Sequence, residues 1–225
     1  MRSFCKNRHM ACVQANAFPA PGKARSPAAM MSYVGWGGRV RGRIILNDVI
    51  RPDAEEAVRR LHGQGIATAL VSGDRVETGR AVASQVGIGH VEAPRKPDGK
   101  IDVVRAATRA GSVVVMVGDG VNDAPAMATA DVGIALAAGT DLTRETGHVV
   151  LLGNRLARVP WLVALSRHTR RIITQNLAWA LAYNAIALTA AAAGLLHPLV
   201  AAVAMVVSSL TVLANSLRIQ RFPDA

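Results

Sequence analysis

Gly118-Asp119-Gly120-Val121-Asn122-Asp123-Ala124-Pro125 comes directly after the unbroken apolar run Val113–Val117, and this junction decides the fold. Five consecutive apolar residues, VVVMV, read as a strand buried on both faces, as in a parallel sheet. Open sheets of that kind bind their ligands beyond the carboxyl ends of the strands. Two carboxylates four residues apart, beside glycines at a strand end, can hold a divalent cation next to a phosphoryl group. Magnesium suits such a pair because it accepts one or two carboxylates and keeps waters and phosphate oxygens as its other ligands. The glycines let backbone approach closely, and Asn122 can hydrogen-bond a phosphoryl environment. Gly-Asp-Gly alone would be an ordinary turn; the eight-residue string is far more restrictive.

Upstream, Ile66–Val71 is a second short apolar run, closed by Ser72-Gly73-Asp74. A hydroxyl at Ser72 can hold one phosphoryl oxygen while Gly73 exposes backbone N–H groups to it. Alone, this tripeptide would equally be a simple turn. Helical patterns occupy Val76–Val86, Ile101–Ala110 and the turn Ala124–Ala128, and a further strand covers Val132–Leu136. Val40–Leu46 reads as a strand with Arg41 and Arg43 pointing outward. Pro52 opens a helix whose first turn holds Asp53, Glu55 and Glu56, as the helix dipole favours. Lys100, in Pro97-Asp98-Gly99-Lys100, stands at the start of a helix, where it can neutralise charge on a transferring phosphate. Taken alone it reads as a solvated surface lysine. Short strands and helices alternate, so the region should be a doubly wound α/β layer.

The last third differs in kind. Ile172–Leu217 contains no Lys, Arg, Asp or Glu. Residues 172–196 and 198–217 are each long enough to cross a bilayer, broken only by His197-Pro198. Arg167, Arg170 and Arg171 flank one side and Arg218 and Arg221 the other, which places both ends in the cytoplasm and the turn outside. A formal charge of +11 raises nucleic acid as a partner, but eight basic residues and no acidic one in residues 1–43 account for most of the excess. Neither an aromatic platform nor zinc-finger spacing accompanies them, so nucleic acid is not expected. Cys5 and Cys12 fit no common zinc or redox spacing and read as two free thiols. Residues 1–32 show no periodicity and are expected to be disordered or unrelated to the rest of the chain, with Pro19, Pro21, Gly22 and Pro27 interrupting them.

Ser-Gly-Asp, Pro97-x-x-Lys100 and the eight-residue string, with Arg51-Pro52 and Ala130-Asp131-Val132-Gly133-Ile134-Ala135, together resemble the phosphorylation domain of P-type ATPases. That domain is a branch of the haloacid-dehalogenase-like, Rossmann-like α/β fold. The resemblance runs from about Tyr33 to Phe222. It implies a phosphorylation-domain remainder over 33–158 and a membrane domain with a two-helix hairpin over 159–222. It implies that Asp119 and Asp123 are the Mg2+-side acids and that Ser72 and Lys100 contact the phosphoryl group. Gly73, Asp74, Gly118, Gly120 and Asn122 would complete the phosphoryl and nucleotide environment, with ATP as substrate.

Tyr183 and Asn184 fall midway along the first span, and Met205, Ser208 and Ser209 midway along the second. Polar residues at such depth are costly and usually functional, although Ser and other small residues also serve helix packing. Met205 and the two serines share a helix face, and a thioether suits Cu+. Zinc or cadmium members would be expected to carry a Lys and an Asp in these spans; the resemblance therefore points to the ion path of copper-exporting members. Cu+ or Ag+ would be the transported ion. The chain should then be an integral protein of the inner or plasma membrane, in contact with lipid, copper and the remainder of the pump.

The resemblance stops at the nucleophile. P-type ATPases phosphorylate an aspartate in Asp-Lys-Thr-Gly-Thr, and that string does not occur in these 225 residues. The nucleotide-binding and actuator domains and the Cys-Pro-Cys of the copper path are likewise not among them. Covalent catalysis needs that aspartate, so the chain alone should be inactive. The sheet should lack its nucleophile-bearing strand and expose a central edge. The alternative reading is a short, non-catalytic membrane protein that binds copper or a partner subunit. A tethered phosphatase is the third, and it too would need an N-terminal aspartate.

Overall fold

The computed structural model describes residues 9–13, 30–36, 39–46, 49–119, 121–136, 147–153, 155–195 and 197–224. Two compact units result, Met1–Arg158 and Val159–Ala225. In the first, chain order is β1 (His9–Val13), β2 (Met30–Trp36), β3 (Arg39–Leu46), α1 (Ala54–Gly63) and β4 (Ala67–Val71). Then come α2 (Val76–Val86), β5 (His90–Glu92), α3 (Pro97–Arg109), β6 (Val113–Gly118), α4 (Ala124–Thr129), β7 (Val132–Leu136) and β8 (Val149–Leu151).

Six strands form one parallel sheet in the order β5-β4-β1-β6-β7-β8, and β2 pairs antiparallel with β3 as a separate ribbon. The parallel α/β layer agrees with the sequence pattern. Its core is made where Ala69 and Val71, Val114 and Met116, and Ala135 of three strands meet Val104 and Ala107 of α3 and Ala126 and Met127 of α4. Alternate residues of each strand supply this face because successive side chains point to opposite sides of a pleated strand.

The expectation about the centre of the sheet is overturned. Residues 9–13 lie within the segment read as disordered or unrelated, yet they form β1 between β4 and β6. Met10 pairs with Ala67 and Val114, and Val13 with Leu70 and Val117. A vacant central place would leave two facing rows of backbone N–H and C=O groups unpaired, and any short extended segment can satisfy them with its own backbone. His-Met-Ala-Cys-Val is too short and too mixed to declare itself by periodicity. No central edge is therefore exposed. Cys12 belongs to this strand, whereas Cys5 lies outside the described residues.

One boundary also moves. α3 begins at Pro97 rather than Ile101, because Pro97 sits at the first helical position after an extended Lys96. That shift puts Lys100 inside the first turn instead of before it.

The second unit is built on α5 (Arg158–Ala192) and α6 (Pro198–Ser216), followed by a 3-10 turn, Leu217–Arg221. The sequence predicts two crossing spans. By length and hydropathy one stretch qualifies among the described residues, Leu199–Arg221, with mean hydropathy 1.9. α5 is long enough at 35 residues, but Gln175, Asn176, Tyr183 and Asn184 dilute its apolar character. Its helix also ends at Ala192, before Gly194 at φ +71°, which removes Leu195 from the expected span; Leu196 lies outside the described residues. Asn176 Nδ2 donates to Ser216 Oγ at 2.9 Å and Asn215 Nδ2 to Asn176 Oδ1 at 2.8 Å, tying α5 to α6.

Candidate phosphoryl-transfer site

Strand pairing alone assembles the principal residues. β4 and β6 both run parallel to β1, one on each side, with Leu70 and Val117 both in register with Val13. Ser72 lies two residues beyond Leu70 and Asp119 two residues beyond Val117. Equal offsets in parallel strands put the two at the same height, on either side of the carboxyl end of β1. Ser72 and Asp119 are 5% and 7% exposed, so neither is an ordinary surface side chain.

Ser72 is tightly held. Its Oγ donates to Asp74 Oδ2 at 2.7 Å and accepts from the Asp74 N–H at 3.1 Å, the local turn that Ser favours. Its backbone is laced to the next loop, with Ser72 N–H donating to Glu92 O at 3.1 Å and Arg95 N–H to Ser72 O at 2.8 Å. Glu92 anchors that loop from its side chain, accepting from Arg95 Nη2 at 2.7 Å and lying 3.0 Å from His90 Nε2. Burial pushes the Glu92 carboxyl up, but the Arg95 hydrogen bond and charge, helped by His90, outweigh it and hold the group below its ordinary value.

The sequence assigns Lys100 to the phosphoryl group and Asp123 to magnesium separately; the structure makes them partners. Lys100 Nζ donates to Asp123 Oδ1 at 2.8 Å, with side chains 4% and 0% exposed. Gly118 permits this. A Cβ at Gly118 would stand 2.7 Å from Asp123 Cβ and 3.1 Å from Met127 Sδ, so only glycine lets Asp123 fold back against the end of β6. Gly133 plays the same part in the next strand, where a Cβ would meet Met127 O at 2.8 Å. Asp131 Oδ2 accepts from the Val114 N–H at 2.7 Å and fixes the start of β6.

Asp119 is paired with Arg51 Nη2 at 3.1 Å, both side chains being largely buried. In the sequence Arg51 and Asp131 each belong to a motif but have no evident partner, and Glu92 and Arg95 carry no site signal of their own. Nothing local in sequence links residues 68 positions apart, and a three-residue strand such as β5 has no readable period.

Magnesium fits what is present. Asp123 Oδ2 is buried and has no hydrogen-bond partner, an uncompensated acceptor of the kind a cation or a donor from a bound group would satisfy. Among the described residues no three His, Cys, Asp or Glu side chains form a metal cage. Magnesium does not require one, since waters and phosphate oxygens complete its shell. Asn122, Gly73 and Asp74 are exposed at the same strand ends, and Gly120 lies outside the described residues.

In the second unit the expected ion-path residues of α5 are not joined to those of α6 among the described residues. Tyr183 and Ser208 are half-buried; Asn184, Met205 and Ser209 are exposed. Ser209 Oγ donates to Met205 O at 3.0 Å within its own helix, and no hydrogen bond links Tyr183 or Asn184 to Met205, Ser208 or Ser209 among the described residues.

A parallel sheet with a serine and an aspartate at the ends of the two strands flanking β1, and a buried lysine–aspartate pair against the end of β6, fits a hydrolase class of α/β fold. The profile of the haloacid dehalogenase-like hydrolases matches residues 18–131, and the chain belongs to that family. Within it, the chain is homologous to P-type ATPases. It is 46% identical over 190 residues to the probable copper-exporting P-type ATPase V of Mycobacterium tuberculosis (strain CDC 1551 / Oshkosh), covering 84% of this chain and 25% of that protein. It is 43% identical over 196 residues to copper-transporting ATPase 1 of Rhizobium meliloti (strain 1021), covering 84% and 24%. The crystal structure of a zinc-transporting PIB-type ATPase in the E2.Pi state superposes with a TM-score of 0.77 at 32% identity, covering 85% of this chain and 32% of that one. The chain thus spans about a quarter of the length of the curated relatives it matches.

Proposed function

We propose that the chain is the phosphoryl-site and terminal membrane part of an ATP-driven Cu+ (or Ag+) translocating P-type ATPase. The observation that carries this reading is the placement of Ser72 and Asp119 on either side of the β1 end, beside the buried Lys100–Asp123 pair. In the reading, Ser72 and the backbone of Gly73 hold phosphoryl oxygens, and Lys100 offsets the negative charge of the transferring group. Asp119 and the unpaired Oδ2 of Asp123 would hold Mg2+, with Arg51 orienting Asp119. Bound magnesium supplies charge neutralisation at the phosphoryl oxygens. ATP is the phosphoryl donor.

The 225 residues on their own should not turn over. Residues 1–47 contain no Asp or Glu, so β1 fills the central place without bringing a carboxylate to the position between Ser72 and Asp119. No aspartyl phosphate can form there. Copper is favoured over zinc because the ion-path candidates are Tyr183, Asn184, Met205, Ser208 and Ser209, with a thioether and no carboxylate or lysine among them. α5 and α6 would both cross the inner or plasma membrane, with the α/β unit cytoplasmic.

A graft tests this. Residues 33–222 replace the matching quarter of the 46% identical relative, and ATP hydrolysis is followed with Cu+ and with Zn2+. Cu+-stimulated turnover that Asp119→Asn abolishes is expected. Turnover unaffected by Asp119→Asn would refute the site, and stimulation by Zn2+ alone would refute the cargo.

A further inference from the structure

We infer that Arg167, Arg170 and Arg171 of α5, with Gln175, form a binding site for the phosphate of an anionic lipid headgroup. They line one recess of about 450 Å³ together with Thr174 and Ala178. Spacings of three and four residues set them along one stripe of the helix. Like charges at that spacing repel, and a phosphate set among several guanidinium groups relieves that repulsion through charge-assisted hydrogen bonds.

One lining residue, Gln175, is held from the second helix. Asn215 Nδ2 of α6 donates to Gln175 Oε1 at 3.4 Å and to Asn176 Oδ1 at 2.8 Å, while Arg218 Nη1 donates to Asn215 Oδ1 at 3.0 Å. A fourth guanidinium is thereby tied to the same end of the helix pair. Arg171 immediately precedes the uncharged stretch beginning at Ile172. Ile173, Leu177 and Leu181 continue the Arg170 stripe and are 59%, 58% and 62% exposed. Phosphate-binding groups at one end and bare apolar side chains running away from them match a lipid: headgroup first, acyl chain after. A free phosphate or a nucleic acid would leave that apolar stripe unused.

The inference rests on the reading that this unit enters the membrane, and the experiment separates the two. The full chain is reconstituted into phosphatidylcholine vesicles with and without phosphatidylglycerol and floated. Spin-labelled forms of each lipid then report their relative association with the protein. Preference for phosphatidylglycerol is expected, falling roughly fivefold for each of Arg167→Gln, Arg170→Gln and Arg171→Gln. The three side chains are exposed, and unchanged helicity by circular dichroism would show that the variants still fold. Flotation with equal association of both lipids, or a preference that survives the triple variant, overturns the site while leaving the membrane reading intact. Abolition of the preference by inorganic phosphate shows a soluble-anion site and overturns the lipid assignment. Failure to float with either vesicle overturns both.

Discussion

Leu61, Met116, Ile134 and Leu136 of the α/β unit are each 1% exposed, whereas Leu188, Leu199 and Met205 of the helical unit are 73%, 68% and 63% exposed. Their polar residues differ in the same sense. Lys100, Asp123 and Asp119 are buried and paired inside their own unit, while Tyr183, Asn184, Met205, Ser208 and Ser209 have no bond across the two helices to each other among the described residues. Placement of apolar side chains shows where each unit gets its solvent. The first excludes water with its own residues, and Lys100 and Arg51 meet their carboxylate partners inside that unit. The second presents long apolar side chains outward, which in water would be costly.

Removing one partner of the Lys100–Asp123 pair is the strongest way to break that contrast. Lys100→Met leaves the Asp123 carboxylate fully buried without its counter-ion, which costs about 3–5 kcal/mol. The urea midpoint of protease resistance in the α/β unit should fall accordingly. Lys100→Met combined with Asp123→Leu should recover most of the loss, because an apolar pair of similar volume carries no desolvation penalty. A single variant as stable as the parent would mean that the site is open to water and not self-contained.

Gly118→Ala sharpens the contrast with a smaller effect. The added Cβ meets Asp123 Cβ at 2.7 Å, so either Asp123 or the end of β6 must shift. Overpacking of this kind costs about 1–3 kcal/mol. Midpoint and Mg2+ dependence should move together, since the same displacement carries Asp123 Oδ2 with it. Gly63→Ala, at a helical position with nothing within 4 Å of the added carbon, is the control: it should leave the Mg2+ dependence unchanged and raise stability by about 0.4–1 kcal/mol.

The same contrast explains what was legible in the sequence. VVVMV and the acidic string after it announce a buried strand and its loop because every residue there answers to one local demand. Lys100 is readable only as a helix-start lysine, and its site role comes with Pro97-x-x-Lys100 as part of a larger pattern. Its bond to Asp123 is not foreseeable, because 23 positions and a helix separate them. Arg51 on Asp119 lies further still. β1 escapes altogether. Its place is set by the unpaired edges of β4 and β6, which are tertiary facts, and not by its own five residues. In the helical unit α6 is readable from composition, whereas the length of α5 is not, because the charged turn Arg167–Arg171 continues the helix without marking its start.

The smallest effect concerns Glu92, which sits at the margin between the two behaviours, half-buried and bonded to exposed groups. Its folded carboxyl lies below the ordinary glutamate value because Arg95 and His90 outweigh the upward push of burial. A group whose folded pKa is depressed contributes stability above its unfolded pKa and loses it as pH falls through the folded value. The contribution is therefore fully present at neutral pH and disappears on acidification below the ordinary carboxylate range. For a partly exposed ion pair it should amount to about 0.2–1 kcal/mol. Glu92→Gln should flatten the acid limb of the stability profile by that amount and leave stability at neutral pH only slightly lower. The variant also bears on the site, since the loop from Glu92 to Arg95 holds both backbone groups of Ser72. If the acid limb of Glu92→Gln matches the parent, the Arg95 pair is fully screened, and the backbone bonds alone hold Ser72 at the strand end.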